Sequence, residues 1–251
     1  MSNATIIVGD VRTALSSIPD GSVQTCITSP PYWGLRDYGN DGQLGLESTP
    51  DEYVANMVAV FAEVWRVLAD DGTLWLNLGD SYASNTKGTG GPSDKQDSNV
   101  GSRYESIKLH HGLKPKDLVG IPWRVAFALQ ADGWWLRQDI IWSKPNPMPE
   151  SVKDRCTKSH EYVFLLTKSA RYYFDNEAIK EPTDYPKLVG KLQKVDYRPD
   201  LVLPNGRPSK SVVVRSKTRN KRDVWSIATK PFKGAHFAVM PEALVEPCVL
   251  A

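Results

Sequence analysis

Apolar positions along the chain fall into two rhythms, and each rhythm names an element. Short apolar runs closed by turn residues occur at ATIIVGD (4–10), Val23–Thr28, Thr73–Leu78, Trp134–Trp142 and Tyr162–Thr167, the pattern of buried strands. Between them the spacing changes to that of a helix. Val11–Ile18 is short and amphipathic and is closed by the turn signal Pro19-Asp20-Gly21. From Thr49 onward, Tyr53, Met57, Val60, Phe61, Val64 and Leu68 keep one helical face apolar. That helix opens with Thr at the N-cap, Pro at the first helical position and acids in the first turn, and Asp70-Asp71-Gly72 ends it. Ile121-Pro122 starts another helix that runs to Gln130 and stops at Asp132-Gly133. Pro241–Leu250 forms a last short amphipathic one. Strands alternating with helices predict an α/β fold on a mostly parallel, helix-covered sheet.

Two stretches carry neither rhythm. Residues 83–106 are rich in Gly, Ser, Asn and Asp with almost nothing to bury, and are expected to form a mobile loop. Residues 180–222 are polar, basic and interrupted by prolines, and read as an insert rather than sheet core. The expected organisation is therefore a first domain over 1–179, the insert at 180–222, and a return to the first domain over 223–251. No internal repeat is visible.

Charge changes this picture more than composition does. A chain of 251 residues that is 41% hydrophobic suits one large domain with a substantial core. Its net charge of +2 hides an asymmetry: residues 1–142 hold 11 Lys+Arg against 17 Asp+Glu, and residues 143–234 hold 20 against 10. A polyanionic partner and a solvated, loop-rich face are the two readings of that basic half. KSVVVRSKTRNKR (210–222) concentrates it, with Lys210, Arg215, Lys217, Arg219, Lys221 and Arg222 and no acid. Interleaved with Ser, Thr and Asn, these side chains suit contacts to phosphate. No apolar run approaches the roughly 18 residues of a membrane span, and MSNATIIVGDV lacks a basic-then-apolar signal pattern. Cys26, Cys156 and Cys248 have no metal-like spacing and fit a reducing cytoplasm. Cys26 lies inside a strand and Cys248 on the apolar side of the last helix, so both read as core.

The candidate chemistry sits where the second strand ends, at Ser29-Pro30-Pro31-Tyr32. Two prolines fix φ at consecutive positions, remove two N–H donors, and push the residues before them out of the helical region. The strand must stop there and leave a stiff corner with an exposed hydroxyl, a free carbonyl and an aromatic ring. In an open α/β sheet, ligands bind at that edge. Asp10 and Asp80 each follow a Gly at a strand end, from where a carboxylate reaches either a ligand or the amides of a turn or helix.

Ser29-Pro30-Pro31-Tyr32 resembles the catalytic motif of amino-group DNA methyltransferases. The segments around it match in order. RVLADDGTLWLNLGDSY (66–82) resembles the family's next helix–strand unit, and GWWLRQDIIWSKPNPMPESVKDRCTKSHEYVFLLTKS (133–169) its following two strands and their linker. HFAVMPEAL (236–244) is similar to the helix that packs beside the cofactor. Catalytic motif first, recognition insert in the middle and cofactor-side motifs last is the permuted order of the β group. The resemblance implies a Rossmann-like class I methyltransferase sheet with helices on both faces. It also implies S-adenosylmethionine as cofactor, double-stranded DNA as substrate, and a bacterial or phage-infected bacterial cytoplasm.

What the resemblance assigns to residues follows the chemistry. An exocyclic base amine is a poor nucleophile because its lone pair is delocalised into the ring. Acceptors on both amine hydrogens favour a pyramidal nitrogen that attacks the sulfonium methyl directly. Ser29 and the Pro30 carbonyl are the implied acceptors, Pro31 stiffens the corner, and Tyr32 is the surface on which a flipped-out base stacks. Trp33 is either a second stacking ring or core. Asp10, Asp80, His236, Phe237 and Pro241 are the implied cofactor-side residues, and no metal is expected. Ser rather than Asp at position 29 leans toward cytosine N4 over adenine N6.

One departure stands out. The β group continues past this helix into an Asp-Pro-Phe-x-Gly-x-Gly turn, which does not occur before Ala251. The expectation is a sheet incomplete at its C-terminal end, with the Gly-rich motif supplied by a further segment or a second polypeptide. A homodimer is left open. A non-catalytic DNA-binding fragment, and an enzyme acting on RNA or a protein amide, are the alternative readings.

Overall fold

The structure, a computed structural model, describes residues 4–83, 113–182, 218–232 and 239–251. In chain order these form α1 (Val11–Ala14), a 3-10 turn (Leu15–Ser17), β1 (Val23–Thr28), α2 (Pro50–Val67), β2 (Leu68–Leu78) and α3 (Ile121–Ala131). There follow β3 (Trp135–Ser143), β4 (His160–Thr167), β5 (Glu181–Pro182), β6 (Thr218–Arg219), β7 (Val224–Ser226) and α4 (Glu242–Leu250). The chain divides into two compact units, Met1–Tyr173 with Asp223–Val249, and Phe174–Arg222 with Leu250–Ala251.

In the first unit, α2 starts as its sequence dictates. The Thr49 hydroxyl accepts from the Glu52 amide at 3.1 Å, and the Glu52 carboxylate accepts from the Thr49 amide at 3.2 Å. This capping box fixes the first turn and contributes on the order of 1 kcal/mol. Tyr53, Met57, Phe61 and Val64 then point inward, where they join Val125 and Leu129 of α3. Leu74, Leu76 and Leu78 of β2 and Phe164 and Leu166 of β4 complete this side of the core. Alternate residues face the other way. Trp75 of β2 and Leu165 of β4 are buried there, and the Trp75 and Trp225 rings lie 6.4 Å apart. Buried on both faces, the second half of β2 carries the unbroken apolar run Leu74-Trp75-Leu76.

The sheet order is β1-β2-β4-β3-β7, an α/β arrangement of mixed direction. β1 runs parallel to β2 and β3 parallel to β7, whereas β4 is antiparallel to both β2 and β3. The expected mostly parallel sheet is corrected here. A parallel return needs a crossover element, and residues 144–159 instead turn the chain straight back, with Ser143 paired to His160.

A second correction concerns ATIIVGD (4–10), which is not a strand. Ile6, Ile7 and Val8 are exposed, Val8 at 92%. Among the described residues β1 pairs only through its β2 edge, so this apolar run has neither a ladder nor a surface to cover it.

The second unit contains the two-stranded β5–β6 ladder, in which Glu181 pairs with Arg219. Residues 84–112, 183–217 and 233–238 lie outside the described residues. They take with them most of the expected loop at 83–106 and most of the insert at 180–222. Among the described residues, no helix is long and apolar enough to cross a membrane.

Candidate active site

Four chain segments reach one edge of the sheet because of strand direction. Parallel β1 and β2 both end there, and Thr28 pairs with Leu76. β3 ends at the same edge, and antiparallel β4 begins there, with Asn77 opposite Val163 and Leu78 opposite Tyr162. The corner Ser29–Tyr32 after β1, Asn77 in β2, Lys144 after β3 and Glu161 in β4 thereby converge.

The diproline corner is braced from below. The Tyr53 hydroxyl of α2 donates to the Pro31 carbonyl at 2.9 Å, while the Pro30 carbonyl accepts no hydrogen bond among the described residues. The Trp33 indole N–H donates to the Glu47 carbonyl at 2.9 Å, and the ring is buried. Trp33 is therefore core, and not a stacking surface. The Gly34 amide donates to the Gly45 carbonyl at 2.7 Å and closes the loop after the corner. Gly45 has φ of 96°, and a Cβ there would meet Pro31 and the Tyr32 carbonyl at 3.1 Å. The Asp37 carboxylate accepts from the Gly39 amide at 2.7 Å, which spends it on a local turn.

Ser29 and Tyr32 join through their hydroxyls. Ser29 Oγ donates to Tyr32 Oη at 3.3 Å. Tyr32 Oη lies 2.7 Å from Glu161 Oε2 and 3.1 Å from Asn77 Oδ1. Asn77 Nδ2 donates to the Tyr162 carbonyl at 3.0 Å and to Glu161 Oε2 at 3.2 Å. Lys144 closes the cluster by pairing with Glu161 Oε1, its Nζ 4.3 Å from the centroid of the Trp142 ring. Gly79 leaves the space the Tyr32 ring occupies, since a Cβ there would fall 2.6 Å from Cε2. Burial, and then the Glu161 charge, push the Tyr32 phenol well above its ordinary pKa, so it remains a hydroxyl.

The other candidates divide. Asp10 is exposed and caps α1, accepting from the Arg12 amide at 2.9 Å and the Arg12 guanidinium at 2.6 Å. The guanidinium hydrogen bond takes its carboxyl down to about 2. Asp80 Oδ1 accepts from the Ser81, Gly120 and Ile121 amides at 2.9, 3.0 and 3.1 Å, tying the end of β2 to the N-terminus of α3. Its Oδ2 accepts no hydrogen bond among the described residues. Pro241 is buried, and its carbonyl accepts from the Leu244 amide at 2.8 Å, which opens α4. His236, Phe237, Lys210, Arg215 and Lys217 lie outside the described residues. Arg219 and Arg222 both donate to Glu181 Oε1, at 2.7 and 2.6 Å. Burial raises the Glu181 carboxyl, and the two guanidinium groups outweigh it and leave it below its ordinary value. Lys221 is half-buried.

Two of the three thiols, Cys26 and Cys248, are poorly placed to act as nucleophiles. Burial pushes Cys26 up to about 11, and Cys248 is buried with Sγ 3.3 Å from the Leu244 carbonyl.

Asn77, Lys144 and Glu161 were absent from the sequence-based candidates. Each carried a signal: a lone amide in the run LWLNL, an acid opening HEYVFLLT, and a cation directly after a strand.

Comparison with known proteins gives the family and the fold. The N6/N4 family described as DNA methylase matches residues 23–251. The type II methyltransferase M.SmaI of Serratia marcescens is 50% identical over 250 residues, which cover 98% of this chain and 74% of that protein. M.Cfr9I of Citrobacter freundii is 47% identical over 253 residues, covering 100% and 73%. Among solved structures, the cytosine-N4-specific PvuII DNA methyltransferase superposes with a TM-score of 0.58 at 16% identity, covering 99% of this chain and 70% of that one. A Thermus thermophilus protein described as a DNA modification methylase, complexed with S-adenosyl-L-methionine, gives 0.52 at 19% identity, covering 97% and 73%. These likenesses place the fold among class I DNA methyltransferases. By the family match and the identity of its relatives, the chain belongs to the N6/N4 DNA methylase family.

Proposed function

We propose that the chain methylates an exocyclic amine of a base in double-stranded DNA, by direct attack of the amine and without a covalent enzyme–base intermediate. The observation that carries this reading is the Ser29–Pro30 pair: a hydroxyl held by Tyr32 beside a carbonyl that accepts nothing among the described residues. Two acceptors on a rigid corner suit the two amine hydrogens and free the nitrogen lone pair. Positioning and fixed dipoles then carry most of the rate. The base leaves the duplex to reach them and lies against Tyr32. Cytosine N4 is favoured over adenine N6, by Ser at position 29 and by the fold shared with a cytosine-N4-specific enzyme.

S-adenosylmethionine supplies the electrophilic methyl when bound. The donor set fits that group at Asp80, whose half-buried carboxylate has one oxygen fixed by three amides and the other open to an ammonium or a ribose hydroxyl. Asp10 would hold such a group only by giving up Arg12. Pro241 would serve through the placement of α4, and His236 and Phe237 remain assigned by resemblance alone.

Residues 180–222 are proposed as the target-recognition insert, with 1–179 and 223–251 forming the catalytic domain. Lys210, Arg215, Lys217, Arg219, Lys221 and Arg222 are proposed to contact phosphate, and Arg219 and Arg222 exchange Glu181 for it. The test is calorimetric binding of S-adenosylmethionine with and without duplex DNA. Binding of both supports the reading. DNA affinity without affinity for the cofactor turns it toward a DNA-binding module.

A further inference from the structure

Methyl transfer to an amine leaves one proton too many on the nitrogen, and neither Ser29 nor the Pro30 carbonyl is basic enough to keep it. The cluster behind the corner provides a route. A phenol has a single proton, and Tyr32 directs it to Glu161 Oε2 at 2.7 Å rather than to Asn77 Oδ1 at 3.1 Å. The Asn77 amide is oriented independently, because its nitrogen donates to the Tyr162 carbonyl and to Glu161. Ser29 in turn directs its proton to Tyr32. Two hydroxyls thus lie in series, each donating to the next oxygen, and the series ends on a carboxylate. Lys144 holds the other oxygen of that carboxylate, and both side chains are 17% exposed.

We propose that Glu161 is the terminal proton acceptor of this reaction, through a relay from the base amine to Ser29 Oγ, Tyr32 Oη and Glu161 Oε2. This rests on the functional reading above. The balance is simple. The amine lone pair forms the N–C bond as the S–C bond breaks and its electron pair stays on sulfur. The nitrogen passes its excess proton to Ser29 as Ser29 passes one to Tyr32 and Tyr32 one to Glu161. The products are a neutral methylamino base, a thioether, unchanged Ser and Tyr, and a carboxylic acid at Glu161.

The direction is downhill. Losing that proton restores conjugation of the nitrogen with the ring, so the methylated nitrogen is a far stronger acid than a carboxylic acid. A raised phenol pKa suits Tyr32 as a conduit, because it hands a proton on without ionising. Lys144 holds the other carboxylate oxygen, and the partial exposure of the pair gives the proton a way out to water. Lys144, Tyr32 and Lys158 are charged or titratable groups around Glu161, and Asp80, Glu150 and Arg155 act on Lys158. Glu161 touches neither base nor cofactor. It is a positioning and proton-accepting residue that acts through Tyr32 and Ser29.

The experiment is single-turnover methyl transfer by the full chain and by Glu161→Gln, Tyr32→Phe, the double variant and Glu161→Ala, with DNA affinity and thermal unfolding measured alongside. The relay predicts a loss of about 10²-fold to 10³-fold in transfer for each single variant with DNA affinity kept. It predicts a double variant no slower than either single, because both cut one path. Formate should rescue Glu161→Ala in proportion to its concentration and leave Glu161→Gln unchanged. Wild-type transfer rates in Glu161→Gln, or a Glu161→Ala that is folded and slow but not rescued, would overturn the relay alone. A wild-type chain that binds cofactor and DNA yet transfers no methyl would overturn the functional reading beneath it.

Discussion

Two places in the molecule look alike in sequence and differ in structure. Val23–Thr28 and residues 4–10 are both apolar runs that end in polar residues, Ser29 in one case and Gly9-Asp10 in the other. The first is a paired strand whose end is tied to β2 and β4 through Tyr32, Asn77 and Glu161. The second pairs with nothing among the described residues, and its terminal Asp10 holds only Arg12 and the first turn of a four-residue helix. An apolar run is a strand when a neighbour offers a ladder and a face to cover. A carboxylate or hydroxyl at its end becomes a site when other elements fix it.

That contrast can be broken most severely at Ser29. Ser29→Ala removes one amine acceptor and the first member of the hydroxyl series. Transfer should fall by about 10²-fold to 10³-fold with DNA affinity nearly intact, as measured in single-turnover and binding assays. Equal loss of both would remove Ser29 from the chemistry.

Gly79→Ala tests the packing behind the corner. Its Cβ would overlap the Tyr32 ring at 2.6 Å, so ring or strand must move. The expected cost is about 1–3 kcal/mol in urea unfolding, together with slower transfer. A variant as stable and active as the parent would show that the ring is not held there.

Asp80→Ala removes the acceptor for three amides at the start of α3. About 1–2 kcal/mol of stability should be lost, within the range of helix caps. The smallest effect is expected at Asp10. Its carboxyl is depressed to about 2 by Arg12, so whatever it contributes is complete above its unfolded pKa and is lost as pH falls toward 2. Being exposed, Asp10→Asn should leave thermal unfolding at neutral pH unchanged, and a carboxyl NMR titration should place its midpoint near 2.

Much of the fold was legible because its signals are local. The capping box at Thr49 and Glu52, the apolar face of α2 and the diproline stop all act within a few residues. The mixed sheet direction and the false strand at 4–10 were not legible, because each depends on which neighbour a segment meets. The site divides the same way. Ser29–Tyr32 is one contiguous signal, whereas Tyr32 meets Asn77 and Glu161 across 45 and 129 residues of sequence. Only the register of an antiparallel β4 against β2 brings them together. Asp80 was visible as a strand-end carboxylate, but its amide partners across the segment to Gly120 and Ile121 were not.

The corner at the end of β1 is proposed to transfer a methyl group to a base amine in DNA. The most direct test incubates the chain with duplex DNA and methyl-labelled S-adenosylmethionine, then identifies the labelled nucleoside by mass spectrometry. Label is expected on an exocyclic amine, N4-methylcytosine ahead of N6-methyladenine, and is expected to be lost in Ser29→Ala. Label on carbon 5 of cytosine, or label that persists undiminished in Ser29→Ala, would contradict it.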